Sequence, residues 1–436
     1  MKRHVLRLAV PAALKHLLDI IQILIDMMMV GVLGAAALAA VGLSMQFMMV
    51  IQAMMTLFGV GSSALIARYI GSGRRNRASA VVYAGGWIAL AGSVGIGSIG
   101  WFYAADFFRW MGSDGDVIAL GSDYFQILCL GMGLIFLDTL AYNALSAAGD
   151  TKSSLVIKIF SALLNAGLNY LFIFGHGGFE PMGVAGAAYA TVCAYGFGIA
   201  AYGWLLFRKG GVLDVYPLFV WADVRRIFSI GLPAAFERVV GVSSFLLFVV
   251  IIASYGTQAL AGYQIGLRIE ALAFMPGFGF SVAAMVLAGQ FIGARRYDDA
   301  YASGVISAKI AMVFMGTVGV VLVALPEYLA AIFTDDAATI EYASIYLRLV
   351  GISQVPLALT FVLSGALRGS GATKTTMRIS ILSLWLFRII PSYLVMKGGL
   401  GIFWVYVAMT VETFIKGWWF WRVYRARGWL ETKIRS

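Results

Sequence analysis

Residues 8–33 read LAVPAALKHLLDIIQILIDMMMVGVL. The run is apolar and longer than the roughly 20 residues a helix needs to cross a bilayer. It nevertheless holds Asp19 and Asp26 in its interior. Seven residues is close to two helical turns, so both carboxylates fall on one face, roughly 10 Å apart along the axis. Lys15 and Gln22 share that stripe. A carboxylate at membrane depth costs several kcal/mol unless it faces a cavity or a partner. Lys15, one turn away, is a ready structural partner for Asp19. Asp26 has no basic residue within a turn, which makes it the first candidate for a working side chain.

The same kind of run recurs along the chain. Of 436 residues, 61% are hydrophobic and 12% charged, against about 25% charge in a soluble protein. The 51 glycines fit close packing of membrane helices. Hydropathy and helix breakers predict an all-α polytopic membrane protein with twelve transmembrane helices: 8–33, 43–70, 79–104, 117–143, 153–174, 184–207, 227–255, 264–292, 302–325, 339–367, 375–396 and 400–424. The first run shows no small-residue cleavage site, so no cleavable signal is expected. Cys129 and Cys193 sit in apolar segments and form no C-x-x-C motif.

The net charge of +11 is distributed as membrane orientation demands rather than as a nucleic-acid footprint. Basic residues crowd the N-terminus, alternate loops (Arg74, Arg75 and Arg77; Lys152; Arg208, Lys209, Arg225 and Arg226; Arg295 and Arg296; Arg368, Lys374 and Arg378) and the tail. The opposite loops carry Arg109 and Lys397 among seven acids. Both termini are therefore expected in the cytoplasm, in a cell (inner) membrane protein.

An internal repeat organises the whole. A shift of 222 residues lays Pro11 on Pro233, Gly34 on Gly256, Ile70-Gly71 on Ile292-Gly293, Tyr124 on Tyr346, and Leu145, Gly149, Thr151 and Lys152 on Leu367, Gly371, Thr373 and Lys374. Six spans per copy is even, so the copies are parallel repeats. The expected domains are an N-terminal six-helix lobe over 1–207, a cytoplasmic linker over 208–226 and a C-terminal lobe over 227–436 with a short basic tail. Two such lobes around a central cavity suit alternating access.

Further polar groups lie at membrane depth. Asn165 and Asn169 share a face of span 5, Thr191 sits in span 6 and Tyr124 opens span 4. Asp26, Asn165, Asn169 and Thr191 supply hard oxygen ligands that suit Na⁺ or a proton-linked network. Helix-to-helix hydrogen bonding is the alternative use of the asparagines. Asp26 maps to Phe248 in the second copy, so the lobes differ in chemistry. The second lobe offers Glu237, Glu270 and Arg388 as candidates, with Glu270 and Arg388 read as partners across helices and Glu412 with Lys416 as a structural pair. No phosphate-binding loop, nucleophile elbow or H-E-x-x-H is present, so an enzyme is not expected and no cofactor is implied.

In sum the chain resembles the multidrug and toxic compound extrusion (MATE) family over nearly its full length. The pieces are LIDMMMVGVLGAAALAAVGL, LSAAGDTK, NYLFIFG and GVAGAAYATV in the first half. In the second they are IGLPAAFE, GYQIGLRIEALAFMPGFGFSVAA, GQFIGARR, LRGSGATKT and WLFRIIPSYLV. The resemblance implies a prokaryotic, NorM- or DinF-like antiporter acting as a monomer among membrane lipid. It would export organic, often cationic and aromatic compounds in exchange for H⁺ or Na⁺. Asp26 matches the family's first-helix aspartate, and Tyr124, Asn165, Asn169 and Thr191 match its first-lobe network. Asn169 stands where many DinF-like members have aspartate, and Asn169-Tyr170 is closer to NorM-like members. Glu237 and Glu270 lie in motifs outside the usual NorM pattern, so the subgroup stays open. The alternative is a flippase for a lipid-linked or polar metabolite on the same fold.

Overall fold

The computed structural model describes residues 1–207, 213 and 219–431. Every regular element among them is helical. The first half contains α1 (Lys2–Gly31), α2 (Ala35–Gly71), α3 (Arg75–Phe102), α4 (Ala104–Trp110), α5 (Gly115–Leu130), α6 (Met132–Ala147), α7 (Thr151–Phe174) and α8 (Gly183–Phe207). The second contains α9 (Trp221–Ala253), α10 (Thr257–Gly293), α11 (Tyr297–Ala324), α12 (Pro326–Ala331), α13 (Ala337–Gly369), α14 (Thr373–Ser383), a π-helical segment Leu384–Ile389, α15 (Ile390–Lys397) and α16 (Ile402–Arg425). Helices suit lipid because each satisfies its backbone N–H and C=O groups within its own segment.

The repeat is visible in the backbone. Adding 222 to the bounds of α2 and α3 (35–71 and 75–102) gives 257–293 and 297–324, the bounds of α10 and α11. The N-cap glycines Gly34 and Gly256 have φ of 113° and 108°. In the LSAAGDTK motif, Gly149 at φ 100° closes α6 and the Asp150 carboxylate accepts the Ser153 N–H at 2.9 Å to open α7.

Ten helices are individually long and apolar enough to span a membrane, counting α14 to α15 as one. The pair α5–α6 makes an eleventh, bent by 54°. The 24-residue α16 falls short of that hydropathy because it carries Glu412 and Lys416. The sequence predicted one span at 117–143; it is broken at Gly131. A β-carbon there would meet Val192 of α8 at 2.3 Å, so only glycine lets α8 approach this closely. At the matching position of the second half α13 runs on without a break.

The predicted linker 208–226 lies largely outside the described residues. Its last part is already helical, since α9 begins at Trp221. The described chain forms two compact units. One is Leu14–Ala235; the other joins Met1–Ala13 to the residues from Phe236 onward. In the latter, α10 and α13 approach backbone to backbone at small residues: a β-carbon on Gly365 would lie 2.4 Å from the Ser281 carbonyl oxygen. Such close approach, rather than exclusion of water, drives helix association in lipid. Around this seam Phe280, Leu287, Met315, Val362 and Phe420 are buried, together with Val5 and Leu8 of α1.

Candidate functional site

The site lies within the unit Leu14–Ala235 and is built by α1, α7 and α8. Asp26, half-buried on α1, accepts a hydrogen bond from the Asn169 side-chain amide on α7 at 2.6 Å. Asn169 also donates to the Asn165 carbonyl oxygen one turn earlier at 3.4 Å. Asn165 in turn donates to the Thr191 hydroxyl of α8 at 3.4 Å. Thr191 gives its own proton to the Ala187 carbonyl at 2.9 Å, leaving oxygen lone pairs for Asn165. The four residues are one continuous chain of polar contacts. Both asparagines are fully buried, and the Asn169 Oδ1 has no hydrogen-bond partner among the described residues.

That orphaned oxygen beside a carboxylate is an open acceptor. The two 3.4 Å contacts are long for hydrogen bonds, so the amides have room to close on a small guest. A single negative charge with three neutral oxygens suits a monovalent cation or a proton. No group of three or more His, Cys, Asp or Glu side chains that could hold a divalent metal occurs among the described residues.

Tyr124 on α5 is buried in the same unit, without a hydrogen bond to any described group. Asp19 is differently placed. Its carboxylate is held by Lys15 at 2.8 Å and by Lys158 of α7 at 2.8 Å, with His16 at 3.7 Å. Lys158 also donates to the Gln22 side-chain carbonyl at 2.6 Å. The polar stripe of α1 therefore meets a matching stripe of α7, Lys158, Asn165 and Asn169, with Asp19 locked between ammoniums and Asp26 left among amides.

In the other unit the expected Glu270–Arg388 pair does not form. Tyr346 donates to Glu270 at 2.5 Å. Arg388 instead donates to Glu412 at 2.6 Å, and Lys416 lies 3.5 Å from the same carboxylate, as its spacing predicted. The physical reason is the π-helical segment: Arg388 sits in it, just before Pro391, which has no N–H to give the helix ladder. The widened turn carries Arg388 toward α16. Glu237 is bound by Arg368 at 2.9 Å and by the Thr376 hydroxyl at 3.2 Å.

An apolar hollow of about 620 Å³ lies between α2, α3 and the start of α9, lined by Met54, Trp87, Phe219, Trp221 and Phe228 among others. None of the polar residues above lines it.

The MatE family profile matches residues 11–171 and again 233–394, two stretches offset by the repeat. The chain belongs to the multidrug and toxic compound extrusion family. Its relatives include the probable multidrug resistance protein NorM of Thermotoga maritima, 29% identical over 422 residues that cover 94% of this chain and 89% of that one. The multidrug resistance protein MdtK of Yersinia enterocolitica is 26% identical over 404 residues, covering 90% and 87%. Among solved structures, a MOP superfamily transporter from Pyrococcus furiosus superposes with a TM-score of 0.90 at 22% identity, covering 99% and 97%. An outward-facing multidrug resistance MATE family transporter gives 0.89 at 22%, covering 99% and 97%. This MATE chain is thus a multi-pass membrane protein and a transporter rather than an enzyme.

Sequence reading missed two residues of this MATE lobe, Lys158 and Asp138. Both were visible by the rule that found Asp26. Each is an ionisable side chain inside an apolar span, SSLVIKIF and GLIFLDTL.

Proposed function

We propose that this protein is a cation-coupled antiporter that exports organic, often cationic and aromatic compounds by alternating access. The coupling ion is H⁺ or Na⁺, and Asp26 is the carboxylate that binds it. The relatives carry multidrug resistance names, which supports the substrate class. The observation that carries the coupling role is the Asp26–Asn169–Asn165–Thr191 chain with its open Asn169 oxygen. Asp26 alternates between an ionised form that holds the cation and an occupied form in which the charge is cancelled. A cancelled charge no longer costs several kcal/mol to carry through an apolar environment. Binding of ion and of substrate then bias opposite orientations of the lobes, and by reciprocity each weakens binding of the other. A monomeric state, an inner-membrane location and cytoplasmic termini belong to the same reading.

The test is dye efflux from proteoliposomes with Na⁺ and pH gradients imposed separately, for wild type and Asp26→Asn. The expected result is uphill efflux driven by one gradient or both in wild type, and none in the variant, with unchanged thermal melting. Gradient-driven efflux by Asp26→Asn at the wild-type rate would remove Asp26 from the mechanism.

A further inference from the structure

The unit Leu14–Ala235 holds a second polar cluster that the coupling chain does not use. Its members are Lys15 and Asp19 on α1, Asp138 on α6 and Lys158 on α7. Lys15 and Lys158 both bind Asp19, one on each oxygen, at 2.8 Å. Lys15 also lies over the Tyr142 ring, 4.3 Å from its centroid. Two ammoniums on one carboxylate leave a surplus positive charge. The counter-charge is Asp138. It is within electrostatic reach of Lys15, Lys158 and Asp19, yet makes no hydrogen bond or ion pair to any described residue.

Asp138 is pressed into the surface of α8. A β-carbon on Gly198 would sit 2.1 Å from its Oδ1, so the carboxylate occupies the space a side chain would need. Tyr195 and Tyr202 of α8 flank it, and Tyr142 lies on its own helix. These tyrosines, the two lysines and Asp19, with His16 beside Asp19, are the titratable groups that surround it among the described residues. The cluster is also reachable: the side chains of Lys15, Lys158 and Asp19 keep 17%, 14% and 31% of their exposure.

The charges decide what such a site accepts. With all four groups ionised the sum is zero. A cation entering here would meet two ammoniums and make the sum positive. A carboxylate entering alone would make it negative. A carboxylate that arrives with one proton, taken up by Asp138, leaves the sum at zero, which is the condition a low-dielectric site favours. We propose that this cluster is an anion site: Lys158 and Lys15 bind the carboxylate of an aromatic organic acid while Asp138 takes one proton. The inference rests on reading this unit as a substrate-handling lobe. It adds acids and zwitterions to the cationic class, and leaves coupling to Asp26.

The test uses purified full-length protein in detergent and three probes with one aromatic body: pyrenebutyrate, pyrenebutanol and pyrenebutyltrimethylammonium. Wild type is expected to bind the carboxylate about tenfold more tightly than the alcohol near pH 6, with affinity for the carboxylate falling up to tenfold per pH unit as pH rises, the limit for one linked proton. Lys158→Gln removes the preference for the carboxylate over the alcohol, and Lys158→Arg keeps it. Asp138→Asn keeps the preference and flattens its pH dependence. Proton uptake by wild type in weak buffer, close to one per carboxylate bound, checks the same link without a variant. Equal affinity of wild type for carboxylate and alcohol, preference surviving in Lys158→Gln, or binding without proton uptake would each overturn the proposal. Binding in detergent needs no gradient and no Asp26, so failure of the antiport reading shows separately, in the efflux assay.

Discussion

Asp19 and Asp26 are two turns apart on one helix face, and their neighbours on α7 give them opposite surroundings. Lys158 reaches Asp19, and with Lys15 it saturates that carboxylate. Asn169 reaches Asp26 and gives it one neutral donor. An amide can be displaced by an ion or a proton more readily than an ammonium can, because no net charge is stranded when it leaves. Asn169→Ala is therefore expected to change cation affinity at Asp26 rather than unfold the protein. The lost amide donor, about 0.6 to 1.7 kcal/mol for a hydrogen bond between membrane helices, no longer competes with the ion, so the cation concentration for half-maximal efflux should fall about 3- to 20-fold. Titrating efflux against the driving cation checks this; an unchanged half-maximal concentration would place the 2.6 Å contact outside the coupling step.

At the scale of elements, breaks and caps position the side chains. The bend at Gly131 lets α8, with Thr191 beside Val192, close on α5 and α6. Gly131→Leu would push these helices apart, at a cost of order 1 to 3 kcal/mol for overpacking, and would draw Thr191 from Asn165. We expect a lower melting temperature and slower efflux together, measured by thermal unfolding in detergent and by dye transport. The start of α13 gives a pH signature. The Asp336 carboxylate caps that helix by accepting the Thr339 hydroxyl and N–H, at 2.5 and 3.0 Å. Those donors, the hydroxyl first, hold the Asp336 carboxyl below the usual carboxylate range. A carboxyl depressed in the folded state stabilises above its unfolded pKa of about 3.9 and loses that contribution as pH falls through the lower folded value. Wild type should therefore melt higher than Asp336→Ala at neutral pH, and the gap should shrink as melting is repeated below about pH 4.

For the whole molecule, the proposed orientation rests on the alternation of basic and acidic loops. Starting from a variant with Cys129 and Cys193 replaced by serine, Ser113→Cys in the acidic loop after α4 should react with a membrane-impermeant maleimide in intact cells. Ser72→Cys, beside Arg74 and Arg75, should react only after permeabilisation. The reverse pattern would invert the orientation.

The class, the repeat and the leading carboxylate were legible in the amino-acid order, because each depends on local chemistry. Apolar length sets the spans, a 222-residue offset sets the symmetry, and a lone carboxylate among leucines and methionines stands out without any partner being known. Partner choice was not legible. Glu270 and Arg388 look complementary on paper, but a π-helical segment before Pro391 sends Arg388 to Glu412 and leaves Glu270 to Tyr346. Asp19 looked half explained by Lys15 until Lys158, 139 positions along, took its other oxygen. Hydrogen bonds and ion pairs between helices act over about 3 Å, and that separation is set by the packing of whole helices, so only the tertiary structure decided them.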